Sequence, residues 1–220
     1  MKKLIYNKVD KEQINRLGLV TFPGKIVVVV SPKETERCVD FLLSQPILGF
    51  DTETRPAFQR GTHFECSLLQ VATPDYCFLF RLNHTGLTPA IIRLLSDITV
   101  TKVGLAWNND ILSLRRLGDF TPGTFIDLQD MARDLGIEDQ SLVKLYANVF
   151  GEHISKRERL SNWERDVLTD SQKRYAAIDA WACVRLYQEL TRLKTTGNYQ
   201  LVIVPNPSTP HDATDHTQEG

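Results

Sequence analysis

The chain has 220 residues, 42% of them hydrophobic and 24% charged, the makeup of a globular protein that builds one sizeable core without staples. A net charge of −1 excludes a polycation, so contact with nucleic acid has to come from a local basic patch or a bridging metal. No run approaches a membrane span, and Met1-Lys-Lys leads into mixed polar sequence, which predicts neither a secretory leader nor a membrane partner. Cys38, Cys66, Cys77 and Cys183 form no C-x-x-C pair, and three of them lie in apolar contexts. That pattern predicts reduced core thiols, a reducing compartment such as the cytoplasm, and no cysteine-bound metal.

In chain order, residues 1–20 are charged and weakly periodic, reading as an extension or partial helix. A turn at Phe22-Pro-Gly-Lys25 leads into the β-branched run Lys25-Ile-Val-Val-Val-Val30, a strand. The spacing predicts a helix over 32–43, with Ser31 as N-cap and Pro32 in its first turn. Ile47-Leu-Gly-Phe50 is a continuous apolar run that suits a strand buried on both faces. It ends in Asp51-Thr-Glu53, whose two acids, at i and i+2, project together from the sheet edge where open α/β sheets bind ligands. A metal between them would relieve their repulsion; solvated acids opening a loop are the alternative. After a polar loop over 55–64, the runs 66–72 and 76–80 flank Thr73-Pro-Asp75 and form a hairpin. A helix over 88–97, a strand over 102–105 and a helix over 110–117 continue the alternation of an α/β sheet. Asp110 stands at the start of the last of these, either complementing the helix dipole or joining a site. A short strand at Phe125-Ile126 precedes mostly helical sequence, which closes with a long helix over 171–193. On it, Tyr175 and Asp179 are four apart and share a face kept lean by Ala176, Ala177 and Ala180. From Pro205 on, three prolines and no large apolar residue predict a disordered tail, in which His211 and His216 are solvated.

Four acids and a tyrosine thus recur at element ends in three separate apolar contexts: strand-end D-x-E, helix-start D, then helix Y-x-x-x-D. Two-metal hydrolysis of a phosphodiester needs such a set, since hard Mg²⁺ or Mn²⁺ ions take carboxylate oxygens. One ion would activate water and the other stabilise the leaving oxygen. Together with Leu68-Leu-Gln-Val-Ala-Thr73, Phe78-Leu-Phe-Arg-Leu82, Lys102-Val-Gly104, Ile126-Asp-Leu128 and Leu160-Ser-Asn-Trp-Glu164, the pattern resembles the DEDD superfamily of 3′–5′ exonucleases, tyrosine subgroup. Within it the chain resembles the Werner-syndrome exonuclease domain and, more distantly, ribonuclease D.

The resemblance implies an α/β, ribonuclease-H-like fold, with an N-terminal extension over 1–20, an exonuclease domain over 21–200 and a disordered tail over 201–220. It implies two ions of Mg²⁺ or Mn²⁺, held by Asp51, Glu53, Asp110 and Asp179, with Tyr175 positioning the nucleophile. Asp51 would bridge both ions. Where relatives often have a second glycine after Gly104, this chain has Ala106, a departure beside Asp110. Lys156 and Arg159, in a stretch of nearly balanced charge, are expected phosphate contacts, as is Arg55 next to Glu53. Trp163 and Trp181 either stack a base or pack in the core. The expected substrate is DNA in preference to RNA, with a helicase or repair protein as a partner. Ribonuclease D-like trimming of RNA is the rival reading, and a silent nucleic-acid-binding scaffold the third.

Overall fold

The computed structural model describes residues 2–205, so most of the expected tail, with His211 and His216, lies outside the described residues. The first half runs β1 (Lys3–Tyr6), α1 (Lys11–Ile14), β2 (Lys25–Val29), α2 (Pro32–Leu43), β3 (Ile47–Thr54), β4 (Cys66–Ala72), β5 (Tyr76–Arg81), α3 (Leu82–Thr85) and α4 (Pro89–Ser96). The second runs β6 (Thr101–Gly104), α5 (Asn108–Arg115), β7 (Phe125–Asp127), α6 (Leu128–Asp134), α7 (Leu142–Phe150), α8 (Asp170–Thr196) and β8 (Tyr199–Val202).

Six strands form one mixed sheet in the order β2-β5-β4-β3-β6-β7. β3, β4 and β5 are antiparallel neighbours, whereas β2, β6 and β7 join in parallel through helical crossovers. β4 is buried along its whole length, as a central strand covered on both faces should be. One face carries Leu68, Ala72, Leu79 and Val103 against α6, α7 and α8; the other carries Leu48, Phe50, Leu69 and Val71 against α2, α4 and α5. This is the expected α/β architecture.

The helix starts are set locally. Ser31 accepts from the Glu34 amide, Thr88 from that of Ile91, and Thr169 with Gln172 forms a reciprocal capping box for α8. α8 ends at Gly197, whose φ of +60° is one that glycine adopts without strain.

Residues 1–20 and 199–202 depart from the sequence reading. β1 pairs in parallel with β8, Lys3 opposite Tyr199 through Tyr6 opposite Val202, and Ile5 is fully buried in the α8-side core. Asn148 of α7 clamps this strand by accepting from the Tyr6 amide at 2.9 Å and donating to the Tyr6 carbonyl at 2.6 Å. Further on, Leu19 bridges to His153, so the chain preceding the main sheet is laced to the segment before α8.

Candidate active site

Strand alternation puts Gly49, Asp51 and Glu53 on one face of β3 and Thr52 on the other. A Cβ at Gly49 would lie 1.9 Å from the Ala180 carbonyl oxygen, so the backbones of β3 and α8 touch at that level. Only glycine permits that approach, and it brings Asp179, the residue before Ala180, down to the acids of β3. Carboxylate oxygens of Asp51, Glu53 and Asp179 all lie within 4.8 Å of one another. One helical turn earlier, the Tyr175 hydroxyl faces Asp179, near enough to hold its pKa down, and the ring leans on Trp163 with centroids 5.9 Å apart. Asp110 stands outside the triplet in the first turn of α5, where Thr52 donates a hydroxyl to it from the opposite face of β3.

The acids are strained electrostatically. Burial first, and then Asp110, Asp179 and Glu53, push Asp51 well above the usual carboxylate range. Glu53 is pushed up to about 9 by burial and by Asp179 and Asp110, with Arg159 opposing. Asp179 rises to about 7 on burial, against the Tyr175 hydrogen bond and the charge of Lys156. Asp110 rises to about 6 on burial, moderated by Thr52. Acids that resist ionising together call for a cation, and a donor set of oxygens alone suits a hard divalent ion. The residues fit such an ion.

The other expected contacts divide. Lys156 and Arg159 are exposed beside the acids, as their influence on Asp179 and Glu53 requires. Arg55 is instead engaged with Glu164 at 3.2 Å and lies over the Phe64 ring at 4.5 Å. Trp163 is fully buried, and Trp181 packs against Phe22 with centroids 5.7 Å apart, so both are core residues. Sequence reasoning gave no role to three residues that shape the site. Thr52 holds Asp110; alternation along D-x-E was the signal. Gln70 lies opposite Asp51 in register, fully buried, with neither end of its amide partnered by protein. Arg81, 1% exposed, donates to the carbonyls of Arg165 (2.5 Å) and Asp166 (3.2 Å) and fastens the loop before α8 to the sheet.

A family model described as 3′–5′ exonuclease matches residues 26–194. The bifunctional 3′–5′ exonuclease/ATP-dependent helicase WRN of Mus musculus is 30% identical over 83% of this chain and 14% of its own length. Ribonuclease D of Gluconacetobacter diazotrophicus is 29% identical over 88% of this chain and 51% of its own. The chain therefore spans about half of one of these relatives and about a seventh of the other. Among solved structures, the Nibbler EXO domain of Aedes aegypti superposes with a TM-score of 0.73 at 23% identity, covering 82% of this chain and 95% of that one.

Proposed function

This chain belongs to the 3′–5′ exonuclease family of the DEDD superfamily, and from that membership we propose that it hydrolyses nucleic acid, DNA in preference to RNA, from the 3′ end. The observation that carries the reading is the convergence of Asp51, Glu53 and Asp179 on one point, with Tyr175 directed at it and Asp110 alongside. Asp51, Glu53, Asp110 and Asp179 would hold two ions of Mg²⁺ or Mn²⁺. Bound there, such ions neutralise the acids, lower the pKa of water and offset charge on the departing oxygen.

Tyr175 orients the attacking water through its hydroxyl, which faces Asp179 while its ring leans on Trp163. Water adds to the terminal phosphorus, the bond from phosphorus to the 3′ oxygen breaks, and that oxygen takes up a proton. The products are a nucleoside 5′-monophosphate and a strand one unit shorter. Lys156 and Arg159 bind phosphates beside the cut. The mouse relative joins a 3′–5′ exonuclease to an ATP-dependent helicase, which supports a helicase as partner; similarity to ribonuclease D supports RNA trimming as the second reading.

The test incubates the protein and Mg²⁺ or Mn²⁺ with 5′-labelled DNA and RNA of matched sequence. Laddering from the 3′ end, abolished by EDTA and absent on circular single strands, is expected on DNA first. A ladder on RNA alone selects the second reading. Cutting of circles, or undiminished cutting in EDTA, overturns both.

A further inference from the structure

We propose that the cleft between α1, α7 and residues 153–157 is a nucleotide-binding subsite that holds the substrate strand upstream of the scissile bond; the proposal rests on the exonuclease reading. The cleft encloses about 620 Å³, within the range of small-molecule sites. Its floor is apolar, made by Ile14, Leu17 and Val143, and its rim carries Lys11, Lys144, Lys156 and Arg157. No acid lines it, although acids slightly outnumber bases in the whole chain. Lys144 is paired with Asp139 at 2.8 Å. Among the described residues, Lys11, Lys156 and Arg157 enter no ion pair. An apolar floor under a cationic rim is chemistry for a base lying flat with its phosphates at the edge.

The position connects the cleft to catalysis. A second cavity of about 230 Å³ shares Leu19, Ser155 and Arg157 with the first and reaches Tyr175 and Arg174, with Glu158 its single acid. Lys156, on the rim of the first, is close enough to Asp179 to lower its pKa. The two cavities are thus neighbours across Leu19, Ser155 and Arg157, one bounded by Tyr175 and the other by Lys11 and Lys156, which gives a path from Tyr175 to Lys11. The bridge between Leu19 and His153 fixes the two walls against each other, so the path is preformed. Bases turned onto an apolar floor have to be unpaired, which makes the ligand a single strand. A strand ending in the catalytic centre and a few nucleotides long would fill both cavities, whereas a two- or three-nucleotide fragment would stop short of Lys11.

Steady-state kinetics on a 5′-labelled trinucleotide and a 12-nucleotide single strand, each as DNA and as RNA, test this. Lys11 and Arg157 are exposed and outside the catalytic set. For Lys11→Glu, KM on the 12-mer should rise roughly fivefold and its salt dependence should lose about one counterion, with the trinucleotide within about twofold of wild type. Lys11→Glu/Arg157→Glu should raise the 12-mer KM at least about tenfold. The milder Lys11→Gln guards against a folding defect and should shift the 12-mer KM in the same direction by about half as much on a logarithmic scale. An unchanged 12-mer KM and salt slope, or an equal loss on both lengths, overturns the subsite. If the wild type cuts neither polymer, the exonuclease reading fails by itself. Fluorescence anisotropy with the 12-mer in EDTA then decides the cleft: equal binding by wild type and Lys11→Glu ends it.

Discussion

Removing the charge of Asp51 separates the electrostatics of the site from its chemistry. Asp and Glu titrate near 4 in an unfolded chain, whereas here Asp110, Asp179 and Glu53 are raised to about 6, 7 and 9 and Asp51 is raised with them. Between about pH 4 and 9 the folded, metal-free protein thus binds more protons than the unfolded chain, so its stability falls as pH rises. Asp51→Asn should abolish cleavage while raising Tm in EDTA, by more at pH 9 than at pH 5. A wild-type Tm in EDTA that climbs from pH 5 to 9 contradicts the account. Tyr175→Phe keeps the ring against Trp163 and removes the hydroxyl; kcat should fall about 10²-fold with KM little changed. Turnover at the wild-type rate would reduce the tyrosine to packing. Ala106 has φ +56°, a left-handed conformation that costs a residue with a Cβ. Ala106→Gly should therefore stabilise by about 0.5–1 kcal/mol, after the added flexibility of the unfolded chain is subtracted; the urea midpoint reads this directly. The acids were legible because charge at the end of an apolar run is conspicuous. Thr52 and Gln70 were not, since a neutral polar residue in a strand acquires meaning only from what lies across from it.

Elements with strong punctuation were read almost to the residue. Ser31-Pro32 starts α2, the Thr73-Pro-Asp75 turn separates β4 from β5, and α8 extends only slightly past its expected ends. β1 and β8 escaped because each is four residues long, half exposed, and pairs with a strand at the far end of the chain. The clamp from Asn148 shows what such short strands lean on. Asn148→Ala would leave the Tyr6 amide and carbonyl without that partner in a partly buried setting. A loss of about 1–3 kcal/mol is expected, measured by urea unfolding, against a few tenths for an exposed asparagine elsewhere. A change below about 0.5 kcal/mol would mean that water or a neighbour replaces the amide.

Over the whole molecule, a net charge of −1 conceals a separation: acids meet at the β3–α8 contact, while Lys156, Arg157 and Arg159 stand beside them. The family match, residues 26–194, takes in the acids and leaves out β1, α1 and β8, which close the chain on itself. Joining Lys3 to Tyr199 closes a loop of nearly the full described length, at an entropic cost that grows only slowly with length. Yet the pairing spans four residues on a separate two-stranded sheet, so it can open while the main sheet stays shut. In native-state hydrogen exchange, the Tyr6 and Asn7 amides should open with a free energy on the order of 2 kcal/mol below that of Leu69 and Val71 in β4. Equal protection would make the molecule one cooperative unit. Otherwise the seam breathes: the two ends of the chain part and rejoin while the main sheet, and the carboxylates on β3, stay in place.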